Sequence, residues 1–328
     1  MPEGLSRPQP DAQAPAQTAI RRIAVTGASG FIGRRLVARL TERGDRVTTL
    51  RHRRDGEFGD AVQQVPGGLD DADALRALTD GADAVIHLGG LVAAPRAQDF
   101  ERVNTAGTER LAAAAERAGV ARLLYMSSLA AREPRLSAYA ASKRAGEDRL
   151  AASRTLAWDA LRPPAVYGPG DVQILTFLNM LKRRIALLPG GDDARVSLIH
   201  VDDLVDAILA WLDSGTPRAA RYELSDGRDG GYAWRELMAT AADEIGVAPV
   251  YVRPPRPALA LAGGCSALWG RVAGTAPMLT PGKMRELTHA DWTADPGAFV
   301  RATGWRPRIG LRAGLRGTIA WYRERGWL

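Results

Sequence analysis

Tyr139 stands four residues ahead of Lys143, downstream of a serine pair, Ser127 and Ser128, in the stretch MSSLAAREPRLSAYAASK. On a helix, residues at that spacing share one face. A free phenol titrates near ~10, too high to ionise at neutral pH but serviceable as an acid. A neighbouring ammonium favours the phenolate, so Lys143 is expected to lower that value. Tyr139 would then approach the range where it passes a proton to or from a substrate oxygen. A hydroxyl at the end of the preceding strand would share that oxygen and stabilise the charge developing on it. Ser127 and Ser128 both qualify. Tyr-x-x-x-Lys spacings also arise in helices that do no chemistry, so the rest of the chain must decide.

A second constellation precedes this one. VTGASGFIG (25–33) sets Gly27, Gly30 and Gly33 between an apolar strand and a helix that is apolar at helical spacing. Glycines there permit a tight turn and close approach of a pyrophosphate to the backbone, while the helix N-terminus offers its N–H groups and dipole. From Arg22 onward, short β-type runs alternate with helical ones. Segments 23–27, 46–50, 62–65, 82–90, 121–128 and 156–163 read as strands; one long helix is expected over FERVNTAGTERLAAAAERAG and another from near Tyr139. Such alternation calls for a parallel sheet covered on both faces and wound by right-handed crossovers. Ligands in these sheets sit at the carboxyl ends of the strands, and each motif falls at such an end.

The fold class is therefore α/β, a Rossmann-type doubly wound parallel sheet with a smaller, partly helical C-terminal substrate lobe. Residues 1–20, rich in Pro, Gln and Ala, read as a disordered leader. Residues 21–170 read as the dinucleotide-binding domain, with 196–212 returning to it, and 171–328 mainly as the substrate lobe.

The glycine spacing, HLGG (87–90), NTAGT around Asn104, YMSS (125–128), YAASK (139–143), LRPPAVYGPGD (161–171) and IHVDDLVDAI (199–208) together resemble one known group. It is the extended branch of the short-chain dehydrogenase/reductase superfamily, which includes NAD-dependent epimerases and dehydratases and the hydroxysteroid dehydrogenase and ceramide reductase-like enzymes. The resemblance implies a catalytic set of Ser128, Tyr139 and Lys143. It places Ser127 on the nucleotide side and has Lys143 also hold the nicotinamide ribose. It further implies a cofactor cleft lined by Gly27, Ser29, Gly30, Phe31, Ile32, Gly33, Leu88, Gly89, Gly90, Asn104, Ser127, Tyr139, Lys143, Pro163 and Val166. One departure stands out: the family's Gly-Asp-Leu after the third strand reads GGLDD (67–71) here, with Gly68 in place of the acid. Adenine contacts then fall to the Leu69 backbone or to Asp70. The paired acids Asp202 and Asp203 read as helix caps rather than acid–base groups.

In a dinucleotide fold, a carboxylate after the second strand holds the ribose 2′-OH, whereas arginine accommodates a 2′-phosphate. VTTLRHRRDG (47–56) ends its strand on Arg51, with Arg53 and Arg54 close behind and no acid at the strand end. Guanidinium forks suit phosphate, so NADP(H) is expected over NAD(H).

Sugar-nucleotide dehydratases of the family place Asp-Glu directly after the catalytic hydroxyl. Here Ser128 is followed by Leu129, Ala130 and Ala131, which argues against dehydration and makes the approach apolar. A second apolar stretch, PALALAGGCSALWG (257–270), reads either as a buried helix of the lobe or as a membrane contact. The net charge of +7 suits a lipid presented at an anionic membrane surface; no nucleic-acid-binding module accompanies it. The single cysteine, Cys265, allows no intrachain disulfide, and four scattered histidines give no metal site. With no stretch of transmembrane length and no signal-peptide pattern, the protein is expected in the cytoplasm, with peripheral contact to the inner face of the membrane. The expected activity is hydride transfer between NADP(H) and a keto or hydroxy group of a hydrophobic, lipid-type substrate, such as a 3-oxo ceramide precursor or a sterol-like ketone. A nucleotide-sugar epimerase using the same Ser-Tyr-Lys site and a non-catalytic cofactor-binding scaffold are the alternatives.

Overall fold

The last four residues of β1 (Arg22–Thr26) are buried, as is every residue of β4 (Ala84–His87). Strands covered on both faces belong inside a parallel sheet, and these two pair at its centre, Val25 opposite Ile86. β2 (Arg46–Arg51) and β3 (Val62–Pro66) extend the sheet on one side. β5 (Arg122–Met126), β6 (Trp158–Arg162) and the strand Arg221–Glu223 extend it on the other. All pairs are parallel, and the 7 strands run in the order Arg221–Glu223, β6, β5, β4, β1, β2, β3. This is the Rossmann-like doubly wound arrangement. The structure, a computed structural model, describes residues 20–51, 58–191, 193–215, 217–255 and 280–328, with isolated positions between 257 and 266. The leader (apart from Ile20), Arg53 and most of 257–270 lie outside the described residues.

Helices cover both faces. α1 (Phe31–Glu42) buries Leu36, Val37 and Leu40 against one side of the sheet. α2 (Ala72–Thr79) buries Leu75 and Leu78 against the other. The single helix expected over 100–119 is interrupted: a short turn, α3 (Ala97–Phe100), passes through a π-helical turn at Glu101–Thr105 into α4 (Ala106–Arg117). The widened turn carries Asn104 inward, where its Oδ1 accepts from the Leu91 N–H at 2.7 Å and its Nδ2 donates to the Leu91 carbonyl at 3.0 Å. Those two bonds hold the irregular turn in place, and such bulges recur at functional sites.

α5 (Ala138–Ala151) starts at a cap, the Ser137 hydroxyl accepting from the Ala140 N–H at 2.9 Å. α6 (Val172–Lys182), α7 (Val201–Asp213) and α8 (Trp234–Ile245) follow. α7 lies beside α1, tied by Arg35 to Asp202 at 2.7 Å and by Arg39 to Asp206 at 3.0 Å. The acids of HVDD do not cap it. His200 does, its Nδ1 accepting from the Asp202 N–H at 3.2 Å, while buried Asp203 accepts from the Arg308 and Ile309 amides at 3.1 and 2.9 Å. A carboxylate that is two residues inside the helix is better placed to gather amides of the incoming C-terminal segment than those of its own first turn. α6, α8 and the C-terminal helix Leu311–Glu324 close a second core around Leu181, Leu237, Leu315 and Tyr322.

Candidate active site

The carboxyl edge of the sheet gathers the motifs. Gly27 leaves β1 at φ +73°, and a Cβ there would fall 2.7 Å from the Gly89 nitrogen. A Cβ at Gly33 would collide with the Gly27 carbonyl. Gly30 opens α1 without a side-chain cap, and the first turn of the helix carries no acid. A helix N-terminus left uncapped behind a glycine turn fits a diphosphate, so Gly30, Phe31, Ile32 and Gly33 would hold that part of a dinucleotide. Phe31 also lies near Gly170, and Ile32 packs on the core beneath. Ser29 is exposed in the loop, its carbonyl accepting from Arg34 Nε at 2.9 Å.

A buried hydrogen-bond chain ties this loop to Asn104. The Gly89 N–H donates to Thr26 Oγ1 (3.0 Å) and the Thr26 hydroxyl to His87 Nδ1 (2.6 Å). His87 Nε2 lies 3.0 Å from Thr108 Oγ1, and Thr108 donates to the Asn104 carbonyl at 2.6 Å. Because the Thr108 proton is committed to that carbonyl, Nε2 must carry the imidazole proton and Nδ1 must accept. Burial, then the nearby Lys143 ammonium, pull His87 down to about 3, which keeps it neutral.

Ser128 follows β5 and caps the 3-10 turn Leu129–Arg132, accepting from the Ala130 N–H at 3.2 Å. Its hydroxyl stands close enough to the phenol of Tyr139, half-buried in the first turn of α5, to favour the phenolate. The Phe100 ring sits edge-on to Tyr139 at 6.0 Å. Burial pushes the phenol up to about 12; the Ser128 hydroxyl opposes the rise and the Glu286 carboxylate adds to it. The lowering expected from Lys143 is therefore not the outcome, because desolvation of the phenolate dominates. Lys143 is spent elsewhere. Its Nζ donates to the Met126 carbonyl at 2.9 Å and lies 5.0 Å from the Tyr125 ring centre. Burial pulls Lys143 down to about 8, against the Glu147 carboxylate.

Gly90, Asn104 and Lys143 line one wall: a Cβ at Gly90 would fall 3.0 Å from Asn104 Oδ1 and 3.1 Å from Lys143 Nζ. Asn104 Nδ2 also donates to Ser142 Oγ (2.9 Å), which donates to the Tyr139 carbonyl (2.8 Å), so the π turn is tied to the start of α5. The remaining residues sit around this group. Leu88 packs on the core beside α1, as does Val166. The carbonyl of buried Pro163 accepts from the Leu129 N–H at 2.8 Å behind Ser128. Leu69 is farther off beside Gly107, its carbonyl already taken by Arg110 Nε at 2.9 Å, and Asp70 lies 3.8 Å from Arg102. Arg51 is exposed at the carboxyl end of β2.

Ser127 departs from its expected placement. Its hydroxyl donates to Glu147 Oε1 at 2.6 Å, beneath α5 rather than toward the nucleotide side. Glu147 is fully buried; it takes a two-pronged contact from Arg162 at 2.8 and 2.6 Å and another from Arg221 at 2.9 Å. Sequence reasoning passed over Glu147 although Tyr139, Lys143 and Glu147 share one helix face. It also missed Glu286, which contacts Ser137 and is held by Lys283 at 3.1 Å. No local signal marks that contact, since 149 residues separate Glu286 from Ser137.

Fold and site together define a dinucleotide-dependent oxidoreductase of the extended short-chain dehydrogenase/reductase type. The chain belongs to the NAD dependent epimerase/dehydratase family, whose profile matches residues 23–223. It is 42% identical over 313 residues to the ceramide reductase of Caulobacter vibrioides, covering 93% of this chain and 96% of that protein. It is 29% identical over 325 residues to the 2-alkyl-3-oxoalkanoate reductase of Stenotrophomonas maltophilia, covering 90% and 97%. The solved structure of MoeE5 in complex with UDP-glucuronic acid and NAD has a TM-score of 0.72 at 24% identity, covering 93% and 99%, a likeness of fold. The protein is an NAD(P)-dependent oxidoreductase.

Proposed function

We propose that the protein reduces the ketone of a lipid-type substrate with NADPH, the 3-oxo group of a ceramide precursor being the favoured class. The observation that carries this reading is the Ser128 hydroxyl set beside the Tyr139 phenol at the end of β5, backed by a turn in which Leu129, Ala130 and Ala131 are all buried and no acid replaces them. Such a site can give a proton to a substrate oxygen, but its turn lacks the acid pair that dehydration uses. The two relatives named as reductases of ceramide and of 2-alkyl-3-oxoalkanoates support a lipid-type substrate.

A bound nicotinamide dinucleotide supplies the hydride. Tyr139, neutral because burial holds its proton, donates to the carbonyl oxygen as negative charge grows there. Ser128 shares that oxygen and steadies the charge. Lys143, charged below about 8, favours the phenolate left behind. Asn104 and Gly90 bound the space beside it. Arg51, exposed at the end of β2, carries the kind of guanidinium fork that suits a 2′-phosphate, which supports NADP(H) over NAD(H). The test is to incubate the purified protein with NADPH and either a 3-oxo ceramide precursor or a UDP-sugar. Stoichiometric NADPH consumption with the lipid is expected; interconversion of the sugar without net NADPH loss would instead establish the epimerase.

A further inference from the structure

We infer that a surface of the C-terminal lobe, remote in sequence from the catalytic residues, docks on an anionic lipid bilayer. Its centre is the parallel ribbon of Ile185–Leu187 and Val250–Val252, in register Val250 opposite Ile185, Tyr251 opposite Ala186 and Val252 opposite Leu187. Side chains alternate faces along a strand, and registered neighbours share one. Ala186 is fully buried and Tyr251 packs on the lobe core, so that pair faces inward. The outward face is then Ile185, Leu187, Val250 and Val252, every one apolar. Ile185 is 38% exposed, Val250 68% and Val252 38%. An outer face made only of Ile, Leu and Val breaks the polar-out alternation that water imposes on a one-sided ribbon.

The helix leading into the ribbon spends its apolar side on the lobe: Leu178 and Leu181 are buried, Ile174, Leu175 and Phe177 pack on the core, and Val172 at its first residue is 59% exposed. α6 ends in Lys182, and Arg183 and Arg184 follow directly; all three are exposed. Among the described residues, none of these three cations sits in a side-chain ion pair, whereas Asp243 and Glu244 on neighbouring α8 are already held by Arg312 and Arg316. An apolar strip bordered by unneutralised cations matches the two layers of an anionic membrane surface, acyl boundary and phosphate. A second copy of the chain would bring the same positive charge to the same place. The surface gives the lipid-ketone reading a route to its substrate and rests on that reading for its purpose, while its binding test stands apart from catalysis.

Full-length protein is mixed with phosphatidylcholine vesicles, with or without one-third phosphatidylglycerol, and floated on a density gradient. The wild type is expected to float with the anionic vesicles only. The Ile185→Ser/Val250→Ser/Val252→Ser and Lys182→Glu/Arg183→Glu/Arg184→Glu variants are each expected to bind them about tenfold or more weakly. Melting temperature and NADPH consumption on a water-soluble ketone should stay at the wild-type level. If the triple serine variant folds poorly, Val250→Ser alone keeps the comparison at the most exposed position. No flotation of the wild type, unchanged binding by the variants, or equal binding to both vesicle types overturns the inference. So does a wild-type dimer that the serine variant turns into a monomer with vesicle binding intact. Flotation as expected from a protein that reduces no lipid ketone would sink the functional reading and leave the docking surface standing.

Discussion

Tyr139 and Lys143 are tuned in opposite senses by the same dry environment. A phenol held at about 12 keeps its proton through the physiological range, ready to donate. Tyr139→Phe preserves the ring beside Phe100 and removes the hydroxyl that carries that proton. Turnover should drop by about 10²–10⁴-fold with NADPH binding retained, as steady-state rates and a fluorescence titration would report. Lys143 bears the complementary cost. Its folded value of about 8 lies below the ordinary 10.5, so between the two the unfolded chain binds more protons and stability rises with pH. Below about 8 the penalty of a buried ammonium is fully present. Lys143→Met is therefore expected to stabilise the cofactor-free protein at neutral pH by about 2–3 kcal/mol while abolishing turnover. Melting curves from neutral pH upward check the sign: the gap to wild type should close as pH rises from about 8 toward 10.5.

At the scale of elements, α5 is the part that sets catalytic geometry, and two carboxylates fasten it. Glu147 joins it to the end of β5 through Ser127, to β6 through Arg162 and to the edge strand through Arg221. Glu286 joins its N-terminus to the lobe helix Pro281–Leu287, whose Arg285 also donates to the Leu136 carbonyl at 2.8 Å. Removing one partner of a buried ion cluster strands the others, so Glu147→Gln should destabilise the fold by about 3–5 kcal/mol. Glu147 also raises Lys143, so losing its charge should move the alkaline limb of the pH–rate profile to lower pH. Denaturant unfolding and a pH–rate profile measure the two effects separately. That Glu147 belonged with Tyr139 and Lys143 was legible in their common helix face. The role of Glu286 was not, because an interaction between distant segments leaves no periodicity to read.

At the scale of the molecule, the carboxyl edge of the sheet gathers the motifs and the lobe helix Pro281–Leu287 meets the N-terminal end of α5. The glycine loop, the Leu88–Gly90 segment, Asn104 and Arg51 all lie along that edge, so a dinucleotide bound there would bridge β1, β2 and β4 and stabilise the folded state by mass action. At a free concentration near a hundred times Kd the gain is about 2.7 kcal/mol. NADPH should therefore raise the melting temperature more than NADH at equal concentration, and Arg51→Glu should reverse that order. A larger shift with NADH in the wild type would overturn the cofactor preference. Among the described residues, no helix is long and apolar enough to cross a membrane.

The sequence by itself determined the doubly wound sheet, the glycine turn and the placing of Tyr139 and Lys143 on one helix, α5. Each is written locally: strand–helix alternation in the period of apolar residues, glycine in the steric limits of one turn, the pair in the pitch of one helix. Only the tertiary structure decided what those groups are chemically. Desolvation is set by atoms from distant segments, so Tyr139 rises where its neighbour in sequence would have lowered it. The direction of Ser127 follows from a glutamate one element away. Asn104 turns inward because a π turn meets the Leu91 backbone, and Ile185, Leu187, Val250 and Val252 turn outward because Ala186 and Tyr251 take the core side of the ribbon. Proximity across the chain is the physical quantity that spacing along it does not contain.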